Sequence, residues 1–285
     1  MLIFDNTNNM SQLANSSFHG IKQMSRKHIP GLQYCDVTLR DGLQSFPKTF
    51  NLQTKINILD YIVSKRNPQK IEIGSIVSPK RVPQMEGSLE LYKYAIEHYD
   101  KNDFYMLIPN KKSLDLAVKS DVHNIALVTS TSDIFQFNNV NKTLKETKKE
   151  MKQMLRTYYG KNIKLYISCI HKCPIVGRIT PYNVIKEIYY YSQFNNITEF
   201  CLSDTVGEMD YLSFKHMIDV LVHFIDRKKI SLHLHQSEKN KYEIQKIIKY
   251  SIEKGIYMFD VSSFEDMGED MKANVTYETI TEAIS

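Results

Sequence analysis

The sequence predicts an α/β protein, a closed (β/α)8 TIM barrel with a shortened C-terminal end. Eight short apolar runs alternate with segments whose apolar residues recur at helical spacing, as expected of a parallel sheet buried on both faces. The chain has 285 residues, 42% hydrophobic and 24% charged, which suits one such barrel. Residues capable of chemistry also fall repeatedly at or near the predicted strand ends, where barrel active sites lie.

The predicted elements follow one another regularly after residue 30. We place the strands at 34–39, 70–73, 104–108, 124–128, 163–168, 199–202, 230–235 and 257–261. Helical spacing predicts helices at 52–64, 112–119, 144–159, 181–194, 211–224 and 242–253. The stretch after the second strand is interpreted as a loop through 78–80. A doubly wound open sheet is the alternative, but no Gly-rich phosphate loop follows the first strand.

The chain divides into a poorly ordered extension at 1–30, rich in Asn, Ser and Gln, and a barrel domain at 31–285. The extension has no apolar run after a basic start, so we expect no secretory signal. No apolar stretch approaches the roughly 20 residues that span a bilayer. Four scattered cysteines indicate free thiols and a cytoplasmic setting. A zinc site at Cys169, His171 and Cys173 lacks a second cysteine pair.

The net charge of +5 is modest and compatible with anionic substrates. The Lys-rich stretch 145–152 alternates with Glu at helical spacing, which is typical of a solvated helix face. No nucleic-acid motif accompanies this charge, so we expect neither nucleic acid nor a membrane as partner.

Arg40, Asp41 and Gly42 form the most informative motif of the chain. The apolar residues Val37 and Leu39 precede it, so a strand end would deliver an adjacent cation and anion to a glycine turn. The carboxylate is a candidate metal ligand, and the guanidinium is a candidate partner for a developing oxyanion.

His233 and His235 form a second motif, on the predicted seventh strand. Side chains alternate along a strand, so both imidazoles are expected on one face at the barrel mouth. Together with a carboxylate they would suit a divalent metal.

Residues 40–44 (RDGLQ) resemble the signature of the 3-hydroxy-3-methylglutaryl-CoA lyases, a family among the TIM-barrel metal-dependent lyases and Claisen-condensing enzymes. The segments 71–80 and 82–85 are similar to the second-strand region of these lyases almost residue for residue. Further matches, in chain order, lie at 109–110, 168–169, 173–174, 203–207 and 233–235. The resemblance runs from about residue 33 to residue 280 and indicates a divergent member.

The resemblance implies a divalent cation, Mg or Mn, as cofactor. The metal ligands it implies are Asp41, His233, His235 and Asn274. The catalytic residues it implies are Arg40, Glu72 and Asp204. Arg40 would neutralise an enolate, and the two acidic residues would serve orientation and proton transfer. The implied substrate is a small molecule, a CoA thioester or keto acid, and a homodimer is the expected assembly.

Each of these residues also has a structural interpretation. Asp41 suits a turn, because Asp-Gly is common in turns. Arg40 and Glu72 suit ion pairs inside a barrel. Asp204 suits a helix N-cap. We interpret His171 as structural.

The resemblance breaks between residues 263 and 274. The lyases carry a catalytic Cys there, in a Gly-rich loop before the metal-binding Asn. Here the segment reads SFEDMGEDMKAN, which is shorter, acidic and without Cys. The residues after His235 (QSEKN) differ as well, and only eleven residues follow Asn274. We therefore expect a short last helix and a poorly covered first strand.

Three functions remain open at this stage. The first is a metal-dependent carbon–carbon lyase that forms acetyl-CoA and acetoacetate, with activity weakened by the missing Cys. The second is a catalytically inactive barrel that keeps a metal- or ligand-binding role. The third is a related aldolase or condensing enzyme that acts on another keto acid.

Overall fold

The computed structural model describes residues 29–160, 162–263 and 273–285. Eight parallel strands close into a barrel in chain order, with the first strand paired to both the second and the eighth. These strands, β1 to β8, are Gln33–Asp36, Lys70–Ser75, Asp103–Leu107, Asn124–Ser130, Asn162–Ser168, Glu199–Ser203, Ile230–His233 and Met258–Val261. The predicted barrel is confirmed. The predicted extension at 1–30 lies outside the described residues except for positions 29 and 30, and it stays a prediction.

Nine α-helices in the described residues surround the barrel. They are α1 to α9: Leu52–Tyr61, Ser88–His98, Lys111–Lys119, Asp133–Val140, Leu144–Thr157, Pro181–Tyr191, Tyr211–Leu221, Lys241–Glu253 and Tyr277–Ile284. Polar caps start several of them, because a side-chain oxygen can accept from a backbone N–H that has no partner within the helix. The side chain of Asn110 accepts from Ser113 N, and Thr143 forms a reciprocal capping box with Glu146. No helix among these residues is long and apolar enough to cross a membrane.

Two of these helices, α2 and α4, were missed by the sequence analysis, which assigned no element to 88–98 or 133–140. Both are short, with 11 and 8 residues. The sequence of α4 (DIFQFNNV) consists mostly of weak helix formers, so local preference gives little signal. The helix is instead bounded by the N-cap Ser132 and by Asn141, which takes a left-handed conformation with φ 55°. Tertiary packing therefore decided an element that the sequence pattern left ambiguous.

Two predicted strands end earlier than expected, and both early ends lie at the barrel mouth. β1 stops at Asp36 and gives way to a π-helical turn, Thr38–Gly42. β7 stops at His233, and the two-residue strand His235–Gln236 then pairs antiparallel with Ala273–Asn274. This pairing sets Asn274 opposite His235, although the two residues are far apart in sequence.

The interior of the barrel contains buried charge. Lys164, on β5, is fully buried, and its ammonium nitrogen lies 2.5 Å from Asp260 Oδ1 and 3.4 Å from Glu199 Oε1. Lys70 Nζ lies 2.6 Å from Glu199 Oε2. The charges of these four side chains balance, two against two, within the barrel. Such a pairing is necessary, because an unpaired charge in this environment would cost several kcal/mol.

The short last helix contacts β1 through Tyr277. Cys35 and Asp36 are buried and Gln33 and Tyr34 are half-buried, so the expectation of a poorly covered first strand does not hold for its last two residues. The ring of Tyr277, the first residue of α9, lies 5.0 Å from that of Tyr34. Its hydroxyl donates to Asp36 Oδ2 at 2.9 Å, and Ser263 Oγ donates to the same oxygen at 2.7 Å. Asp36 is fully buried, and burial raises the pKa of its carboxyl group above the ordinary value. This carboxyl group therefore joins the ends of the barrel through hydrogen bonds.

Replacing Tyr277 with Phe tests this connection. We expect Tyr277→Phe to lower the free energy of unfolding by roughly 1.5–3 kcal/mol, because a buried acceptor loses its donor. The loss of the donor raises the pKa of Asp36 further, so the folded variant binds more protons and loses more stability as pH rises. Urea unfolding should therefore show a larger deficit at pH 8 than at pH 5. Tyr242→Phe, at a hydroxyl-bearing residue that is 70% exposed, is the matched control and should change stability by less than about 0.5 kcal/mol.

Candidate active site

The turn after β1 presents Arg40 and Asp41 at the barrel mouth. The backbone N–H groups of Asp41 and Gly42 both donate to Val37 O, at 2.8 and 3.1 Å, which closes the wide π-helical turn. The side chain of Asp41 is 22% exposed, whereas that of Arg40 is 9% exposed and forms an ion pair with it. The turn thus leaves the carboxylate accessible and buries the guanidinium behind it.

Both histidines face Asp41. The ring centroids of His233 and His235 lie 4.9 Å apart, and their Nε2 atoms lie 3.6 and 3.9 Å from Asp41 Oδ2. His235 Nδ1 lies 2.8 Å from the backbone oxygen of Asp204. A carbonyl oxygen only accepts, so Nδ1 carries the hydrogen and the Nε2 lone pair of His235 is directed toward Asp41.

Asn274 completes the cluster. Its Nδ2 donates to Asp41 Oδ2 at 2.9 Å, while its Oδ1 is buried and has no hydrogen-bond partner among the described residues. A half-turn of the amide would exchange these two atoms and present Oδ1 to the same place. The structure thus brings together all four side chains that the sequence analysis proposed as metal ligands.

The cluster fits a single divalent cation. The ligand atoms of Asp41, His233 and His235 all lie within 4.8 Å of one another. Two ligands about 2.1 Å from one ion lie roughly 3 to 4 Å apart, which agrees with the separations of 3.6 and 3.9 Å. The unpartnered Oδ1 of Asn274 offers a further oxygen donor. Carboxylate, amide and imidazole ligands suit Mg²⁺ or Mn²⁺.

The protonation states suit such a cation. Burial by itself would raise the pKa of Asp41, but Arg40 and the two imidazoles lower it well below the ordinary value, so the carboxylate stays ionised. Burial and the neighbouring His233 lower the pKa of His235, which favours the neutral imidazole. A metal requires these two forms, because a protonated ring nitrogen has no lone pair to give.

Glu72 holds Arg40 in place. Arg40 Nε donates to Glu72 Oε1 at 2.9 Å, and a second guanidinium nitrogen lies 3.3 Å from Oε2. Glu72 is fully buried within β2, and the Tyr166 hydroxyl lies 2.5 Å from its Oε2. This two-point contact fixes the guanidinium plane beside Asp41. The carboxylate of Glu72 faces Arg40 and Tyr166 rather than joining the cation cluster.

The carboxylate of Asp204 binds a loop. Its oxygens accept from the backbone N–H groups of Gly207, Glu208 and Met209 at 3.1, 3.3 and 2.9 Å, and the side chain is fully buried. Its backbone oxygen accepts from His235, as described above. The structure thus places Asp204 beside the cluster through its main chain, while its carboxylate anchors the loop after β6.

Asp260, Lys164 and Tyr166 belong to the site and were missed by the sequence analysis. Asp260 Oδ2 lies 3.1 Å from His233 Nδ1, on the side of the ring opposite Asp41. Lys164 and Tyr166 alternate with apolar neighbours on β5 and contact Asp260 at 2.5 and 2.8 Å. Charged residues within continuous apolar strands are the signal that was available, because a parallel barrel buries both strand faces.

A second group of potential ligands, Glu199, Cys201 and Asp260, lies deeper in the barrel. Lys164 already supplies the positive charge there, at 3.4 Å from Glu199 and 2.5 Å from Asp260. We therefore interpret this group as an ion-pair network. The described residues contain no metal-binding group that includes Cys169 or Cys173.

The four cysteines are free, buried and outside the cation cluster. Burial raises the pKa of the Cys169 thiol to about 11. Because all four lie outside the cluster, none of them offers a thiol there. The acidic segment that the sequence analysis compared with the catalytic Cys loop lies, at 264–272, outside the described residues, and the prediction about it stays a prediction.

Comparison with known proteins gives the family. A family model described as HMGL-like matches residues 31–238, which is more than half of the chain. The chain belongs to the HMGL-like family. The resemblance found in the sequence is therefore confirmed, and with it the placement as a divergent member.

The relatives of this HMGL-like protein include named lyases. It is 29% identical over 233 residues to a 3-hydroxy-3-isohexenylglutaryl-CoA/hydroxymethylglutaryl-CoA lyase of Pseudomonas aeruginosa, covering 80% of this chain and 74% of that one. It is 28% identical to the mitochondrial hydroxymethylglutaryl-CoA lyase of Macaca fascicularis, covering 78% and 68%. A crystal structure of the hydroxymethylglutaryl-CoA lyase from Pseudomonas aeruginosa superposes with a TM-score of 0.78 at 27% identity, covering 89% and 84%.

The contacts of Asp204 predict a structural role that stability can test. We expect Asp204→Ala to lower the free energy of unfolding by roughly 2–4 kcal/mol, because three backbone donors lose their acceptor in a buried loop. Asp204→Asn keeps one acceptor oxygen and should cost less. Asp210→Ala removes an ordinary helix cap at a half-buried residue and should cost about 1 kcal/mol in the same urea titration. Equal values for Asp204→Ala and Asp210→Ala would contradict this role.

Proposed function

We propose that this protein is a divalent-cation-dependent carbon–carbon lyase that cleaves 3-hydroxy-3-methylglutaryl-CoA, or a closely similar thioester, to acetyl-CoA and acetoacetate. The observation that carries the proposal is the meeting of Asp41, His233, His235 and Asn274 beside Arg40 at the mouth of the barrel. The names of the relatives support the reaction class.

The four ligands would hold the cation, Mg²⁺ or Mn²⁺, which when bound polarises the alcohol and carbonyl oxygens of a substrate. The chain contributes the preorganisation. Asp41 is fixed by Arg40 and Asn274, and the imidazoles are fixed from behind by Asp260 and by the backbone oxygen of Asp204. Apart from the half-turn of the Asn274 amide, the ligands would need little reorganisation when the ion arrives, which favours binding.

Arg40 would stabilise the charge that develops in the reaction. Cleavage removes the proton of the tertiary alcohol, breaks the adjacent carbon–carbon bond and leaves the electron pair on an acetyl-CoA enolate, which then takes up a proton. Arg40 can face this enolate because Glu72 and Tyr166 hold the guanidinium from the interior side. A preorganised cation in a site poor in water stabilises such a charge far better than solvent does.

We assign orienting roles to the two acidic residues that the sequence analysis expected to serve orientation and proton transfer. Glu72 orients Arg40 through two hydrogen bonds. Asp204 orients His235 through its backbone oxygen, and its carboxylate keeps the supporting loop in place. In both cases the carboxylate is already engaged by donors of this chain.

A CoA thioester is the substrate class we favour, since the net charge of +5 is compatible with an anionic ligand. Four free cysteines support the predicted reducing, cytoplasmic setting. The homodimer and the exclusion of nucleic acid and membranes as partners stay predictions.

The first test pairs metal binding with turnover. Asp41→Asn should weaken Mn²⁺ binding by more than about 100-fold and abolish acetoacetate release, because the anionic ligand of the cluster is lost. Calorimetry with MnCl₂ and an acetoacetate assay with Mg²⁺ or Mn²⁺ measure the two effects. Asp115→Asn, at an exposed residue of α3, makes the same chemical change and should leave both unaffected.

Other outcomes of these two measurements would favour one of the alternative functions or contradict the site. Mn²⁺ binding by the wild-type protein without turnover of any thioester would favour the inactive, ligand-binding barrel. Turnover of a 4-hydroxy-2-keto acid in place of the thioester would favour the aldolase. Acetoacetate release that persists in Asp41→Asn would contradict the proposed site.

The role of Arg40 gives a second test. Arg40→Gln should lower kcat by about 100- to 1,000-fold, the size of effect seen when one charge-stabilising donor is removed. Mn²⁺ affinity should fall much less than in Asp41→Asn, because no ligand is lost. The matched control is Arg81→Gln, at an exposed residue. An unchanged kcat in Arg40→Gln would remove Arg40 from the mechanism.

A further inference from the structure

The ring of His233 is held from the side opposite the cation cluster. Its Nδ1 lies 3.1 Å from Asp260 Oδ2, and its Nε2 lies 3.6 Å from Asp41 Oδ2. An ionised carboxylate only accepts hydrogen bonds, so the contact with Asp260 places the ring hydrogen on Nδ1. That tautomer leaves the Nε2 lone pair directed toward Asp41, which is the form a metal ligand requires.

Asp260 is itself fixed on both oxygens. Lys164 Nζ lies 2.5 Å from Oδ1, and the Tyr166 hydroxyl lies 2.8 Å from Oδ2. Cys201 Sγ lies 3.6 Å from the same Oδ2. Asp260 is only 1% exposed, and Lys164 is fully buried. These contacts leave the carboxylate one orientation, so it can impose an orientation on the imidazole.

Tyr166, which contacts Asp260, also contacts the residue that holds Arg40. The Tyr166 hydroxyl lies 2.5 Å from Glu72 Oε2 as well, and Glu72 holds Arg40 Nε at 2.9 Å. A hydroxyl has one hydrogen, which it donates to one of the two carboxylates at a time. Tyr166 therefore lies between the carboxylate that supports His233 and the one that supports Arg40.

We propose that Asp260, held by Lys164 and Tyr166, is a positioning residue that selects the tautomer and fixes the orientation of His233 for cation binding. The proposal rests on the proposed function only in that a cation binds at Asp41, His233 and His235. It does not depend on which substrate is cleaved.

The experiment compares Asp260→Asn with the wild-type protein and with Asp36→Asn. Asp36 is an equally buried aspartate on the neighbouring strand β1. Its carboxylate accepts from Thr38, Ser263 and Tyr277 rather than from His233, so it controls for the loss of a buried carboxylate. An Asn at position 260 can donate to Nδ1 as well as accept from it, so it no longer enforces the tautomer.

Two readouts apply. In the metal-free protein, the ¹⁵N NMR shifts of His233 should show hydrogen on Nδ1 in the wild type and a mixture of tautomers in Asp260→Asn. In Mn²⁺ titrations followed by electron paramagnetic resonance, Kd should rise about 10- to 100-fold in Asp260→Asn, the usual effect of losing the partner of a ligating histidine. Asp36→Asn should change Kd by less than about threefold.

The outcomes separate the two proposals. If the wild type binds Mn²⁺ and Asp260→Asn binds it equally well with the same spectrum, the positioning role is wrong and the proposed function stands. If the wild type binds no Mn²⁺, the proposed function fails, and the tautomer measurement still decides the orientation of His233. Should Asp260→Asn fail to fold because Lys164 is left unpaired, Lys164→Met/Asp260→Asn removes both charges together and gives the same two readouts.

Discussion

The ion pair between Lys164 and Asp260 is the interaction on which the rest of the site depends. It is buried in the barrel, where strands of this fold more often contribute branched aliphatic side chains. A buried ion pair adds little stability compared with a well-packed apolar pair, because both ions lose their hydration. The ion pair contributes here by fixing the position of the Asp260 carboxylate. A carboxylate that must remain beside a buried ammonium has one position. Because Asp260 contacts His233 Nδ1, that fixed position also determines the orientation of the His233 ring.

The site has two halves, and both are connected to the Lys164–Asp260 ion pair. One half contains the proposed metal ligands, in which the imidazoles are supported from behind and face Asp41. The other contains Arg40, which Glu72 holds by two hydrogen bonds. The Tyr166 hydroxyl contacts Asp260 in the first half and Glu72 in the second. The guanidinium and the ligand set therefore sit in a defined relation before any cation or substrate is present, and electrostatic stabilisation requires such preorganisation.

The sequence predicted the barrel and the meeting of Asp41, His233 and His235 at its mouth because both depend on local patterns. Strand alternation, the motif at Arg40 and Asp41, and the spacing of His233 and His235 can be read within a few residues, and family resemblance supplied Asn274. The sequence did not predict Asp260 as the support of His233, because 27 residues separate them and only barrel closure makes them neighbours. The carboxylate of Asp204 shows a second limit of inference from sequence. Its place at a strand end predicted a catalytic group, but the three backbone donors that it binds belong to a loop whose course the sequence does not reveal.

Because residues 263–274 contain no Cys, two requirements of the proposed carbon–carbon cleavage can be considered separately. Holding the substrate oxygens and stabilising the enolate require fixed charges, which the proposed function assigns to Asp41 and Arg40. Delivering a proton to the enolate requires only an acid of suitable pKa within reach, a requirement that different residues can meet. Fixed charges depend on a supporting network deep in the barrel, so they change only when many contacts change together. A proton donor on a surface loop depends on few contacts. The sequence predicts a difference from the lyases at 263–274 together with a retained ligand set, which is the pattern expected when the less constrained requirement changes first.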